Sequence, residues 1–537
     1  MHFPDENLLN FASIFNTMNE TMSLRQRAII FFKHLGIKSE PVRKTEEVIS
    51  IPKSSVYRLR MGQKRRIAAT GHHFFETEEG LAWLHRLFIA VLLVFGIQSG
   101  VGSVTISLFF NMILVGSYIA ISPSSIKNSK QKMRAGIEAF GVIQMLVVLK
   151  QCENKELHLG GDETTFGANQ FLILMELTSG FIFTEALVTD RTEATWNKHT
   201  ESLLKPFKKI LSFASDGGKV LLNLGKVYLC GNIMDLFHFL KDMRSLFATK
   251  FHSKRRALTT KLEKIKKSGA SDEDKAAAEK EINDGLLVLD NGQKQYRQCL
   301  FTVSTQVHPF KNIVEPKSSL ELKTELHEQV ALLRRVAKEC SITDKYNLLQ
   351  RAENRVEPCS LLNDLWHSWV DASLLCNLSA PSVQTWAKEV LLPYSYWKQQ
   401  AKKSKRKERL RDYYQDIERK AKAALDAHPL TQEHLIKSWI QWAVAMVNKY
   451  QRTTSAIEGR NARLTHYYFA TRGVRASHVT ALTVLHNFWI RREDNSSAAT
   501  RLCGTEFPDM FDWLLKYMPE LPLPRQSAKS RPLSLVA

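Results

Sequence analysis

The sequence predicts a mixed α+β fold: a sheet flanked by helices, followed by a long region that is almost entirely helical. Two observations predict it. From about residue 157 the apolar residues follow a strand period, and beyond Met234 they follow a helical one. The length of 537 residues is enough for about two to four domains with a substantial core.

The first predicted elements are three short helices over residues 22–62, the last of which follows Pro52. A helix-turn-helix needs such a narrow last helix with donors for bases and phosphates. We therefore expect residues 1–70 to bind DNA; the alternative is a plain helical bundle with solvated arginines. The candidate contact residues are Lys53, Ser54, Ser55, Tyr57, Arg58 and Arg60.

Residues 71–155 predict a helical second DNA-binding or linker domain. A similar helical pattern over 103–134 fits DNA binding and a buried helical hairpin equally well, and Ser122-Pro123 has the chemistry to start a helix. Between Leu87 and Ile126 there is no charged residue, a length that could span a bilayer. Glycines and polar residues interrupt it, so we expect two buried helices separated by a Gly/Ser turn and no membrane span.

Five strands are expected in the middle of the chain. A capping box at Asp190–Glu193 predicts a helix through Leu204 between the third and fourth strands. This order is typical of a mixed sheet flanked by helices. The predicted strands are Leu157–Phe166, Phe171–Leu177, Phe181–Val188, Ile210–Ala214 and Val227–Cys230.

The helical region predicts a large insertion over residues 246–439. Leu258, Leu262 and Ile265 share one helix face, and the charged, Ala-rich run to Lys280 indicates a helical hairpin. Four tryptophans of the region, Trp366, Trp369, Trp386 and Trp397, are expected in its core. Residues 156–245 and 440–495 are expected to form the sheet domain, and 496–537 a C-terminal segment with a disordered tail.

The composition indicates a polyanionic partner. There are 75 Lys and Arg against 54 Asp and Glu, a net charge of +21, and each cation laid on a phosphate releases counterions. Nucleic acid is the favoured partner, and an anionic membrane surface the lesser one. The seven cysteines form no CxxC pair, which fits a reducing cytosol.

Two aspartates carry the predicted chemistry. Asp162 lies in the first strand, and Asp216 ends the fourth strand just before two glycines. If these strands pair, the two carboxylates lie side by side and repel each other, and a divalent cation relieves that repulsion. Hard oxygen donors favour Mg²⁺ or Mn²⁺ over zinc, and two such ions can activate a water or a 3′-hydroxyl.

These residues, in this order, belong to a recognisable pattern. The Asp162 strand, the meander, Ser215-Asp-Gly-Gly-Lys219, Asp235-Leu-Phe-His238 and the run Thr453-Thr-Ser-Ala-Ile-Glu-Gly-Arg-Asn461 together resemble the DDE transposases of bacterial insertion sequences, within the RNase H-like superfamily. The resemblance covers residues 155–245 and 440–495 best. It departs in spacing, because 54 positions separate the two aspartates and 242 separate Asp216 from Glu458, which the insertion explains.

The resemblance implies that Asp162, Asp216 and Glu458 are the catalytic residues and bind two Mg²⁺ or Mn²⁺ ions. It implies that Asn461 holds the scissile phosphate or orients a carboxylate. It implies that Asp235 and His238 orient a ligand or contact a phosphate, although His238 is equally compatible with an ordinary hydrogen-bonded histidine. It also implies DNA-backbone contacts for Arg460 and Arg463. Glu163 should point to the strand face opposite Asp162, and the competing acids Glu176 and Glu185 on the neighbouring strands are expected to point outward. In the basic run Lys398–Arg411, a DNA track competes with a solvated helix face or an import signal; its candidate residues are Lys402, Lys403, Lys405 and Arg406.

The resemblance thus predicts a cytoplasmic, nucleoid-associated transposase that hydrolyses a phosphodiester at each end of its element. The freed 3′-hydroxyl then attacks target DNA. Expected partners are the terminal inverted repeats, target DNA and at least one further copy of the chain. The alternatives are a catalytically inactive DNA-binding regulator of the same descent and an RNase H-like endonuclease without strand transfer.

Overall fold

The computed structural model describes residues 54, 57, 58, 61 and 74–524, except 168, 208, 229, 268, 270, 378, 405, 406, 435 and 436. The chain divides into two compact units. The first comprises Met1–Val148 and Arg463–Ala537, and the second Leu149–Ala462. A five-stranded mixed sheet accompanies many helices, which confirms the mixed α+β class.

The described elements follow in chain order. They are α1 (Glu78–Val91, continued to Gln98 as a π-helix), α2 (Ser103–Met112), α3 (Pro123–Cys152), β1 (Glu156–Phe166), β2 (Asn169–Glu176), β3 (Phe181–Val188), α4 (Glu193–Leu204), β4 (Lys209–Ser215), α5 (Lys219–Val227), β5 (Gly231–Met234), α6 (Leu236–Phe247), α7 (Lys250–Lys266), α8 (Asp272–Gln306), α9 (Ser319–Glu339), α10 (Leu348–Ser360), α11 (Leu362–Leu375), α12 (Pro381–Trp386), α13 (Leu392–Lys403), α14 (Glu408–Ala427), α15 (Thr431–His434), α16 (Lys437–Lys449), α17 (Ser455–Thr471), α18 (Ala476–Val484), α19 (Ala498–Cys503) and α20 (Met510–Tyr517).

In the first unit, α1 and α2 are separated by a Gly/Ser turn, as predicted. The prediction that both helices are buried is wrong for α2, which exposes Val104, Leu108 and Met112. Apolar residues lie all round this short helix, so only one side of it can face the interior. Helix α3 begins as predicted, with the Ser122 hydroxyl accepting from the amide of Ser125 at 3.2 Å.

Two helical stretches among the described residues are long and apolar enough to cross a membrane. They are Glu78–Gln98 and Pro123–Cys152, and in their most apolar windows 50% and 39% of the residues are buried inside the protein. The core helix of a globular protein passes the same test of length and composition. The two stretches are therefore weak evidence for a membrane span.

The second unit is built on the sheet, with strand order β3-β2-β1-β4-β5. Strands β1, β2 and β3 form an antiparallel meander, and β4 and β5 continue from β1 in parallel. The first four strands confirm the prediction to within two residues at either end. The fifth is wrong: Val227 ends helix α5, and the strand is Gly231–Met234.

The start of helix α4 also differs from the prediction. The N-cap is Thr192, whose hydroxyl accepts from the amide of Thr195, and the carboxylate of Asp190 accepts from the amide and hydroxyl of Thr192. Asp190 therefore braces the turn before the helix instead of capping the helix itself.

The predicted helical hairpin is present as α7 and α8, and Ser271 caps the second helix. Helices α6, α8, α9 and α10 share one apolar core. Its fully buried members include Phe239, Phe247, Val303, Leu326, Val330, Leu333, Val336, Ala352 and Val356. The side chains of Trp366, Trp386 and Trp397 are also fully buried, as expected of core residues. Residues 246–439 thus belong to the same compact unit as the sheet.

Candidate functional site

The central strand of the sheet carries Asp162, which is 7% exposed. Its strand contains two consecutive glycines that leave room for a close neighbour. A Cβ atom on Gly160 would lie 2.6 Å from Cδ2 of Leu177 and 3.0 Å from Cδ1 of Ile457. Helix α17, which carries Ile457, can therefore pack directly on β1.

Asp216 follows the last residue of β4 and is partly buried. Its Oδ1 accepts from the amide of Gly218 at 2.9 Å. Gly217, between them, has a φ of +87°, a conformation that favours glycine. The Gly-Gly pair thus turns the chain from strand β4 into helix α5 and fixes the carboxylate at the strand end.

The structure brings Glu458 to the two aspartates. It lies in the first turn of α17, with its side chain 36% exposed. Three residues on, Nδ2 of Asn461 donates to Oδ2 of Asp162 at 2.7 Å. Burial raises the pKa of Asp162 to about 6, and the nearby charge of Glu458, followed by that of Asp216, adds to the increase. The three predicted acids are electrostatic neighbours.

In the part of the chain that the structure describes, no group of three or more His, Cys, Asp or Glu side chains lies close enough to hold a metal ion. The three acids are thus neighbours and not a closed ligand set. Their chemistry nevertheless suits Mg²⁺ or Mn²⁺, because the donors are carboxylate oxygens. Burial is the main cause of the raised pKa of Asp162, and a bound cation would offset both that cost and the smaller repulsion from Glu458 and Asp216.

Asp235 and His238 form the predicted pair at the start of helix α6. Asp235 is fully buried, caps the helix through the amide of Phe237, and accepts from the hydroxyl of Thr454. Its Oδ2 lies 2.9 Å from Nδ1 of His238. This contact raises the pKa of His238, and the charge of Asp216 raises it further. The other ring nitrogen, Nε2, lies 4.0 Å from Oε1 of Glu458.

The same region closes the long gap between Asp216 and Glu458. The amide of Leu236 donates to the carbonyl of Arg452 at 3.1 Å, and Thr454 reaches Asp235 as described above. Two residues beyond β5 are thus bonded to the segment that leads into α17. These bonds hold the start of α17, and with it Glu458, near Asp216, although 242 positions separate the two residues.

Arg460 requires a correction, because it has an interior partner in place of the predicted DNA contact. Its guanidinium forms an ion pair with Glu185 on strand β3, with Nε 2.7 Å from Oε1. The two side chains are 2% and 0% exposed. A fully buried charge pair of this kind leaves neither partner available to DNA, so we no longer assign a backbone contact to Arg460.

Of the competing acids, Glu176 and Glu185 were expected to point outward, and neither does. Glu185 is buried in the ion pair, and Glu176 is 3% exposed and accepts from the amides of Thr178 and Ser179 in the turn after β2. Glu163 alternates away from Asp162 and accepts from the indole of Trp196 at 2.9 Å. None of the three is part of the Asp162 cluster.

The predicted DNA contacts outside this cluster stay predictions. Lys402 and Lys403 are exposed, and Arg463 is half-buried on α17. Ser54, Tyr57 and Arg58 are exposed residues in helical conformation. The remaining candidates, Lys53, Ser55, Arg60, Lys405 and Arg406, lie outside the described residues, as does most of the expected helix-turn-helix.

Sequence reasoning missed two residues that contact this site. Thr454 precedes helix α17 in a Thr-Thr-Ser run, a capping signal that could have drawn attention to it. Arg355 comes from helix α10 in the insertion, and its guanidinium donates to the backbone carbonyls of Asp216 and His238. No local pattern identifies it, because its partners lie more than 100 positions away.

A family model described as "Family of unknown function (DUF6399)" matches residues 387–530, which are 144 of the 537 residues. The matched segment includes Glu458 and Asn461 but neither Asp162 nor Asp216. The chain has no significant match among curated proteins or among solved structures.

Proposed function

We propose that this protein is a DDE transposase of the RNase H-like superfamily. Its reaction would be the hydrolysis of a phosphodiester at each end of a DNA element and the transfer of the freed 3′-hydroxyl into target DNA. The observation that carries the proposal is that Asp162, Asp216 and Glu458, which lie far apart in sequence, are electrostatic neighbours beside the central strand of the sheet.

The sheet supports the proposal independently of the acids. An antiparallel meander of three strands, extended from its first strand by two parallel strands, is the order of an RNase H-like core. Asp162 lies on the central strand and Asp216 at the end of the strand beside it. These are positions from which two carboxylates can share a ligand.

Under this proposal Asp162, Asp216 and Glu458 would hold Mg²⁺ or Mn²⁺. The bound cations would supply an activated water or 3′-hydroxyl and stabilise the leaving oxygen. Asn461 orients the Asp162 carboxylate through its 2.7 Å hydrogen bond. His238 places Nε2 4.0 Å from Oε1 of Glu458, and its contact with Asp235 raises its pKa; it would be a hydrogen-bond partner for a phosphate bound beside the acids.

The net charge of +21 supports duplex DNA as the substrate. The same proposal includes the expected helix-turn-helix over residues 1–70, which would recognise terminal inverted repeats, and a synaptic complex of at least two copies. It also includes the absence of a membrane span and a location with the bacterial nucleoid. They rest on the family resemblance and on the charge.

The test uses linear duplexes that cover the sequences immediately upstream and downstream of the gene, incubated with full-length protein and Mn²⁺. We expect strand cleavage by the wild type and at least a hundredfold loss in Asp162→Asn, Asp216→Asn and Glu458→Gln. Glu163→Gln is the matched control, since Glu163 neighbours Asp162 but faces the indole of Trp196.

A target plasmid in the same reaction separates the alternatives. Cleavage followed by joining supports the transposase, whereas cleavage without joining indicates an endonuclease. Specific binding of the end duplexes without any cleavage indicates the inactive regulator. Cleavage that persists in both aspartate variants would refute the proposed site.

A further inference from the structure

One charged side chain of the helical insertion contacts the proposed site. Arg355, on helix α10, has a side chain that is only 13% exposed. Its Nη2 donates to the carbonyl oxygen of Asp216 at 3.1 Å, and its Nη1 donates to the carbonyl oxygen of His238 at 3.2 Å. One guanidinium thus links the turn that carries Asp216 to the helix that carries His238.

The position of this guanidinium is itself fixed by its surroundings. Nη1 also forms an ion pair with Asp242, whose side chain is 8% exposed, one turn along α6 from His238. On α10, Ala352 and Val356 are fully buried in the core shared with α6. Helix packing and the ion pair therefore hold Arg355 in place, and its planar fork allows it to donate in two directions at once.

We propose that Arg355 is a positioning residue for the Asp216 carboxylate, and that the insertion acts on the active site through it. The inference rests on the proposed function. Gly217 and Gly218 give the turn after Asp216 its conformational freedom, and the bond from Arg355 to the Asp216 carbonyl restrains that turn. Groups that orient a ligand in this way typically change metal affinity or activity about 10–100-fold when they are removed.

Arg355→Lys is the variant of choice, because lysine keeps a positive charge beside the buried Asp242. Its single ammonium nitrogen cannot reproduce the two-directional fork. We expect the Mn²⁺ concentration that gives half-maximal DNA cleavage to rise about tenfold or more, with a melting temperature close to that of the wild type. Arg355→Ala should give a larger rise.

Arg351→Lys is the matched control. Arg351 lies one turn earlier on the same helix, is half-exposed and also pairs with Asp242, at 3.6 Å. It has no described contact with Asp216 or His238. We expect its Mn²⁺ dependence to equal that of the wild type.

Hydrogen exchange of metal-free protein provides a second readout that needs no activity. The amides of Gly217 and Gly218 should exchange at least about tenfold faster in Arg355→Lys than in the wild type, and at the wild-type rate in Arg351→Lys. Unchanged exchange at these glycines would overturn the positioning role even if the wild type cleaves no DNA. A wild type that cleaves no DNA would instead count against the proposed function.

Discussion

The side chain of Asn461 donates a hydrogen bond to Asp162 at 2.7 Å across 299 positions of sequence. This bond favours the ionised form of the aspartate, while burial and the charges of Glu458 and Asp216 oppose ionisation. Asn461 therefore offsets part of the cost of ionising Asp162.

Replacing Asn461 by Ala should move the pH dependence of DNA cleavage. The hydrogen bond lowers the pKa of Asp162, so its loss must raise that pKa above the present value of about 6. The acid limb of the pH–rate profile, measured at saturating Mn²⁺, should shift to higher pH, and the rate should fall more at about pH 6 than at about pH 7. An acid limb at the wild-type pH would mean that the bond does not control this carboxylate.

Asp162→Asn should make the metal-free protein more stable. The pKa of Asp162 is raised from 3.8 to about 6 in the folded protein, so the folded state binds its proton more tightly than the unfolded state does. Stability is therefore lost as pH rises from about 4 to about 6, and the full cost remains above that range. We expect the variant to gain about 1–3 kcal/mol in free energy of unfolding at pH 7.5.

Urea denaturation at pH 7.5 and pH 4 measures this gain. The difference between wild type and Asp162→Asn should nearly vanish at pH 4, because Asp162 is then largely protonated in the folded wild type. A variant that is less stable than the wild type at pH 7.5 would contradict the expected repulsion among the three acids.

The buried ion pair between Arg460 and Glu185 predicts a strongly non-additive pair of variants. Arg460→Met leaves the carboxylate of Glu185 buried without the guanidinium and should cost about 3–5 kcal/mol of unfolding free energy. The double variant Arg460→Met/Glu185→Met removes both charges and should recover most of that loss. A loss in the double variant equal to the sum of the losses in Arg460→Met and Glu185→Met, measured by urea denaturation, would show that the pair is not coupled.

Thr454→Val should weaken the site with little change in side-chain volume. Valine cannot donate to the buried Asp235, and an unsatisfied buried acceptor costs about 1–3 kcal/mol. Because Asp235 also holds His238, DNA cleavage should fall along with stability. Thr454→Ser keeps the hydroxyl and is the control: it should restore most of the activity, and a Ser variant as impaired as Val would point to lost packing instead.

Local sequence patterns predicted the part of the site that lies within single elements. Asp162 was identified within a strand-like run and Asp216 at the end of one, just before two glycines, because alternation and turn residues report local structure directly. The fifth strand was misplaced because Val227–Cys230 is a short apolar run, a length at which strands and helix ends look alike. Helix α5 instead buries Leu221 and Leu224.

The contacts between distant elements could not be predicted in this way. Arg460 was assigned to DNA because the family resemblance implies a backbone contact at this position. Its buried partner Glu185 lies 275 positions away on strand β3, and no sequence pattern around either residue indicates that they pair. Arg355 escaped notice for the same reason, since only the packed core of α6 and α10 brings it to Asp216.

The chain leaves the sheet after β5 and returns to it more than 200 residues later, before α17. The bonds between Leu236 and Arg452 and between Asp235 and Thr454 hold these two points together. The entropy of closing such a loop grows only logarithmically, by about 0.6 kcal/mol for each doubling of its length. The helical region between α6 and Arg452 could therefore be replaced by a longer or shorter one, in evolution or by design, without displacing Glu458. The replacement would need to preserve those two hydrogen-bonded contacts, to bury the apolar face of α6 and to supply a fork-shaped donor in the place of Arg355.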